Sequence, residues 1–150
     1  MVWMGEEEAK NFLGSNITGR LATCGEGQPY ITPLNYVYHD DKIYFHCAKS
    51  GHKLENIKAN EKVCFEVSQV NELVISEKPC SCSTRYTSVV VFGKARLIEC
   101  SAQKAAVLNA LMEAHAEGKK YHIVNEQMAD SCAVVEINID NISGKKNINP

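Results

Sequence analysis

The chain has 150 residues, 45% apolar and 23% charged, the make-up of a globular domain rather than of a disordered or fibrous chain. Sixteen Lys/Arg against eighteen Asp/Glu leave a net charge of −2, without the basic excess that nucleic-acid binding needs. No apolar run approaches the ~20 residues that span a bilayer, and the acidic opening Glu6-Glu7-Glu8 lacks the basic-then-apolar layout of a signal peptide.

Seven cysteines (Cys24, Cys47, Cys64, Cys80, Cys82, Cys100 and Cys132) are an odd number, scattered among apolar residues. A secreted disulfide scaffold reads differently. The expectation is a cytoplasmic protein whose thiols mostly fill the core. With no repeat, linker or low-complexity tract, residues 1–150 read as one domain.

Glu6 to Leu13 is a short helix stopped by Gly14-Ser15-Asn16. Gly19 to Cys24 reads as a strand and Gly25-Glu26-Gly27-Gln28 as a turn. Pro29 to Tyr38 is β-rich, and Pro33 inside it calls for an edge or a bulge, because proline has no N–H for a ladder. His39 to Lys42 closes a hairpin onto the strand Ile43 to Cys47. A helix over Leu54 to Asn60 follows, then a strand over Val63 to Val70. Residues 71–84 combine a strand-like Leu73-Val74-Ile75 with a loop holding Pro79, Cys80 and Cys82. Tyr86 to Glu99 is the longest strand, with Thr87, Val89, Val91, Gly93, Ala95 and Leu97 on its small or apolar face. Its other face turns polar at Lys94 and Arg96. Ser101 caps a helix reaching about His115, and Cys132 to Ile142 forms the last strand. Some six strands in hairpin order with helices between them predict an antiparallel barrel with accessory helices, mainly β, rather than βαβ repeats.

Lys49-Ser50-Gly51-His52-Lys53 carries the strongest chemical signal. It hands a strand over to a helix whose start holds free N–H groups and a partial positive charge. Lys49, His52 and Lys53 crowd that positive end, which is unfavourable unless an anion binds there. Ser50 and Gly51 allow close backbone approach, so the segment reads as a phosphate site. The alternative is a solvated turn with Ser50 as N-cap. His46 and Cys47 are neighbours on a strand and face opposite sides, which rules out catalytic pairing within the dipeptide. Cys80-Ser81-Cys82 lacks a second ligand pair at zinc spacing, and no Gly-x-Gly-x-x-Gly or Walker-type loop occurs.

Several segments, in this order and spacing, carry a resemblance. They are Gly19-Arg20-Leu21-Ala22-Thr23, Gln28 to Tyr36, Ile43 to Ala48, Gly51 to Ile57, Pro79-Cys80, Arg85 to Val89 and Phe92 to Arg96. Together they resemble the pyridoxamine 5′-phosphate oxidase-like, FMN-binding split-barrel superfamily, and within it the nitroimidazole-resistance (NimA/NimC-like) branch, over roughly residues 5–145. The resemblance implies a six-stranded split barrel, dimeric with a second copy of itself, with FMN between the subunits. It implies that Lys53 meets the FMN phosphate, with Ser50 and His52 nearby. Thr32, Pro33, Leu34 and Asn35 match the strand whose backbone lies along the isoalloxazine ring. His46, Cys47 and Ala48 match the strand near the ribityl chain. Tyr86 and Ser88 match positions that reach the flavin from the partner subunit. The chain departs from pyridoxamine phosphate oxidases proper in two places. Gly51-His52-Lys53 replaces Ser-Arg-Lys, and the segment Gly144 to Pro150 lacks the arginine and histidine substrate motif. Vitamin B6 oxidation is therefore not expected.

The leading expectation is an FMN-dependent oxidoreductase acting on a small molecule, with nitroaromatic compounds as candidate substrates. A flavin carrier or sensor without turnover is one alternative. A haem-binding or haem-degrading barrel, with His46 or His52 as ligand, is another. Deazaflavin is an alternative cofactor. No nucleic-acid or membrane partner and no metal site are expected.

Overall fold

The computed structural model describes residues 1–148, so Asn149 and Pro150 of the C-terminal segment lie outside the described residues. Chain order is β1 (Val2–Trp3), α1 (Glu6–Gly14), β2 (Thr18–Gly25), β3 (Gln28–Asn35), β4 (Val37–His39), β5 (Lys42–Cys47), α2 (His52–Ala59) and β6 (Lys62–Val74). A 3-10 turn (Pro79–Ser81), β7 (Ser83–Leu97), α3 (Ser101–His115), α4 (Glu126–Ala129) and β8 (Ala133–Asn147) complete it.

All strand pairings are antiparallel, in the order β3-β2-β6-β7-β8-β5-β4, with β1 added on β8. The first and last strands of that path, β3 and β4, are consecutive in the chain, with only Tyr36 between them. The sheet therefore has to curl until its two ends meet, yet no ladder joins them among the described residues. This is a barrel split along one seam. Tyr36 pins the seam. Its side chain is fully buried, its N–H bonds the Ile17 carbonyl at 2.9 Å, and its hydroxyl donates to the Leu13 carbonyl at 2.5 Å. Pro33 sits on β3, the terminal strand, where a missing donor costs nothing.

Inside the barrel, alternate residues of the strands pack together: Leu21, Ile43, Phe45, Phe65, Val67, Val89, Val91, Val135 and Ile137. Helix α1 closes one end with Ala9 and Leu13, and α2 adds Leu54 and Ile57. The small face expected for the long strand is indeed inward, with Val89, Val91 and Ala95 buried. A second cluster lies outside the barrel. There Tyr44 of β5 and Val134 of β8 pack under Val107, Leu108 and Leu111 of α3. β5 and β8 are thus covered on both faces, which explains their near-continuous apolar runs.

Helix boundaries bring three corrections. Helix α2 begins at His52, not Leu54, and its N-cap is Gly51 rather than Ser50. Its backbone there has φ 140°, a conformation open to glycine and strained for other residues. Ser101 does not cap α3. Cys100 holds the N-cap position, and the Ser101 hydroxyl instead donates to Asp130 at 2.9 Å, tying α3 to the end of α4. The strands also outrun their apolar patterns. β6 extends to Val74 and β8 to Asn147 because mutual pairing with β7 satisfies their backbone even where side chains turn polar. Among the described residues, no helix is long and apolar enough to cross a membrane.

Candidate functional site

The middle and C-terminal end of α2 are held against the barrel by small and polar residues rather than by bulk. The Asn56 amide donates to Thr23 Oγ1 at 3.1 Å, and Asn60 donates to the Cys24 carbonyl at 3.1 Å. A side chain at Gly25 would place its Cβ 2.3 Å from Asn56 Oδ1, so only glycine lets the helix come this close to β2. The N-terminus of the docked helix follows the end of β5, with residues 48–51 between them. No side chain caps that terminus. A Cβ at Gly51 would meet nothing within 4 Å, so the backbone here borders open space.

Edge strand β3 runs beside this terminus. The Tyr30 ring meets the His52 imidazole edge-on, with centroids 4.7 Å apart and planes at 88°. β3 pairs only with β2 among the described residues, leaving the backbone along its other edge available. Thr32 lies opposite buried Leu21 and so points to the inner side of the sheet. Its Oγ1 is buried without a hydrogen-bond partner, a rare condition for a hydroxyl. Pro33 and Asn35 face the outer side, where Asn35 Oδ1 accepts a bond from Thr18 at 3.2 Å. Leu34 packs against the core.

The end of β5 supplies the third wall. Cys47 packs against the barrel core, whereas His46 turns outward, the opposite faces expected of strand neighbours. Burial raises the Cys47 thiol above its ordinary pKa, and the nearby Lys53 charge only partly counters this. Cys47 is therefore a protonated thiol at neutral pH and a poor nucleophile. Ala48, Lys49 and Ser50 are exposed as the chain turns toward α2, and Lys53 is half-buried. His52 Nδ1 lies 3.7 Å from Glu55 Oε2.

Within one chain β3 meets the start of α2, where Ser50, His52 and Lys53 lie, through Tyr30, whereas Thr32, Pro33, Leu34 and Asn35 lie further along the strand. His46, Cys47 and Ala48 lead into the same turn. Tyr86 and Ser88 stand apart from this group. They face outward on β7, separated from β3 by β2 and β6 in the sheet order, beside Lys145 of β8. Two features escaped the sequence. One is a cavity of about 510 Å³ with His46 at its wall, lined by Leu108, Leu111, Met112, Val124 and Met128. It forms only when α3 and α4 fold over β5. The other is Trp3 on β1, paired in register with Lys145. A two-residue strand leaves no periodic signal.

Residues 5–146 match the family model described as pyridoxamine 5′-phosphate oxidase. The chain belongs to that family. It is 26% identical over 91 residues to an uncharacterized protein of Rhizobium meliloti (strain 1021), an alignment covering 61% of this chain and 53% of that protein. The chain thus spans about half the length of this curated relative. Three solved structures share the family's fold. A candidate 5-nitroimidazole antibiotic resistance protein from Bacteroides thetaiotaomicron has a TM-score of 0.80 and 24% identity, covering 95% of this chain and 85% of that one. The flavocytochrome Anf3 from Azotobacter vinelandii has a TM-score of 0.84 and 24% identity, with coverage of 97% and 69%. A FAD- and haem-binding protein from Mycobacterium smegmatis has a TM-score of 0.86 and 19% identity, with coverage of 97% and 72%. At these identities the likeness is one of fold.

Proposed function

We propose that this family member is an FMN-binding oxidoreductase that works as a homodimer. The observation that carries the reading is the junction of β3 with the uncapped, cation-rich start of α2, joined by the Tyr30–His52 contact. A free strand edge suits the hydrogen-bonding rim of a flat ring, and an uncapped helix start suits a phosphate. The orphaned Thr32 hydroxyl and the open space at Gly51 fit a group supplied from outside the chain. Lys53, His52 and Ser50 would hold the phosphate. The β3 backbone from Thr32 to Asn35 would orient the ring, and His46, Cys47 and Ala48 would flank the chain between them.

A bound flavin supplies electron and hydride exchange. The residues of the chain bind and orient it, and the buried barrel wall behind β3 keeps water from one side. Cys47, protonated, offers bulk rather than a nucleophile. Tyr86 and Ser88, separated from β3 by two strands in their own subunit, would act on the partner's flavin. The outward faces of β2, β3, β6 and β7 support pairing, since Ile31 is 64% and Phe92 55% exposed there, beside Ala22, Cys24 and Cys64. Nitroaromatic compounds are the proposed substrates, a reading supported by likeness to the Bacteroides protein.

The test is the visible spectrum of the purified protein, with the released cofactor weighed by mass spectrometry. Flavin bands and the FMN mass are expected. The FAD mass would correct the cofactor, and a colourless protein that takes up no added FMN would overturn the proposal. Anaerobic mixing with NAD(P)H and a nitroimidazole then separates an enzyme from a carrier or sensor, which would bind FMN and leave the nitro compound unchanged.

A second reading has its own observation. His46 borders the 510 Å³ apolar cavity together with Met112 and Met128, and imidazole and thioether are haem ligands. Relatives of this fold include a flavocytochrome and a FAD- and haem-binding protein. A Soret band lost in His46→Ala would favour haem.

A further inference from the structure

Trp3, the one tryptophan of the chain, is 71% exposed. It pairs in register with Lys145, and Lys145 pairs in turn with Ser88. Register partners share a sheet face, so Trp3, Lys145 and Ser88 stand side by side on the outside of the barrel. The Lys145 ammonium lies over the Tyr86 ring, 5.8 Å from its centroid. The neighbouring Lys146 is paired with Glu8. Lys145 has no carboxylate partner among the described residues, although it is only half-exposed. Between these side chains lies a cavity of about 190 Å³, lined by Trp3, Ser88, Val90, Ser143 and Lys145.

Each feature is incomplete alone, and one ligand completes them all. An exposed indole face favours a flat aromatic partner. An unpaired ammonium favours an anion, and a carboxylate forms the stronger, charge-assisted bond. The Ser88 and Ser143 hydroxyls can serve further oxygens at the rim. The volume admits a single ring. We propose that this cavity seats a planar, single-ring aromatic carboxylate, its ring against Trp3 and its carboxylate on Lys145. The binding stands on this geometry. That the ligand is the substrate, held beside the partner's flavin, rests on the proposed function, because Tyr86 and Ser88 are the residues assigned there to that flavin.

The test is equilibrium dialysis of the purified protein, with and without added FMN, against 4-nitrobenzoate and nitrobenzene, which differ only in the carboxylate. Wild type is expected to bind 4-nitrobenzoate about tenfold more tightly, the worth of one charge-assisted contact at a part-exposed site. Lys145→Met should abolish that preference and Lys145→Arg should keep it. Trp3→Ala should weaken both compounds. Equal binding of the two compounds by wild type, no binding of either, or a preference that survives in Lys145→Met would overturn the seat. Flavin absorbance of the same samples separates the two readings. Protein that takes up no FMN yet keeps the preference would refute the flavin reading alone. Protein that holds FMN without the preference would refute the seat alone.

Discussion

The Tyr30 and His52 rings meet edge to face with their centroids 4.7 Å apart, tying the terminal strand of the split sheet to the first residue of α2. Neither residue is buried, so the contact contributes little to the core. Its consequence is positional: it sets the terminal strand beside the cationic start of α2.

Lys53→Ala tests the proposed role of that helix start directly. FMN affinity should fall by about 1.5–3 kcal/mol, the range for a hydrogen bond to a charged group, while the melting temperature of flavin-free protein stays put. Fluorescence titration with FMN gives the first quantity and thermal unfolding the second. Unchanged affinity would remove Lys53 from the site.

Gly51→Ala should destabilise the chain although it creates no clash. The φ of 140° is unfavourable for alanine, and a Cβ there meets nothing within 4 Å. The cost is therefore backbone strain of about 1–3 kcal/mol, read from the urea midpoint at constant slope.

Glu136 carries an acid-dependent share of stability. It is fully buried, and both oxygens are engaged. Arg96 Nε lies 2.8 Å and the Asn138 amide 3.1 Å from Oε1, while Lys42 Nζ lies 3.2 Å and the Tyr44 hydroxyl 3.3 Å from Oε2. Burial alone would raise its pKa, but the bonds from Arg96 and Lys42 outweigh that and hold it below the ordinary 4.5. The unfolded chain thus takes up a proton first as the pH drops. The contribution is complete above about pH 4.5 and fades as the pH falls through the lower folded-state value. Glu136→Gln should be less stable than wild type at pH 7, with the gap closing on acidification. Glu136→Ala should lose about 2–3 kcal/mol at neutral pH, less than a fully buried pair because Arg96 and Lys42 reach water. Urea unfolding from about pH 3 to about pH 7, which spans the carboxylate range, measures both.

The thiols should label in an order set by burial. Cys80, Cys82 and Cys100 are exposed, whereas Cys47 and Cys64 are partly buried with raised pKa values. Burial is the main cause in both, and Glu66 adds to it at Cys64. Brief iodoacetamide treatment at neutral pH, followed by peptide mapping, should modify the first three well before the other two. Early labelling of Cys47 would mark it as an activated thiol.

Much of this architecture was legible because it is local. Alternation along Tyr86 to Leu97 gave the inward face of β7, and Pro33 called for an edge or a bulge, of which the structure shows the edge. The cap of α3 was misread at Ser101, and the alternative of a cap at Ser50 is not formed either, for one reason. A serine near a helix start is a good cap only if its hydroxyl meets the first free N–H groups. Here Gly51 takes the cap position in a conformation no serine adopts easily, and Asp130 draws the Ser101 hydroxyl away.

The sequence by itself determined the antiparallel β class, the cationic pattern of residues 49–53 and the order of segments that marks the family. These depend on neighbours in the chain and on short periods. Tertiary structure alone decided that β3 and β4 close the barrel at Tyr36 without pairing and that Tyr30 meets His52. It also decided that Trp3, Tyr86, Ser88 and Lys145 share one face. Those relations join residues up to 142 positions apart, from Trp3 to Lys145, and only the curl and register of the whole sheet fix which distant side chains become neighbours.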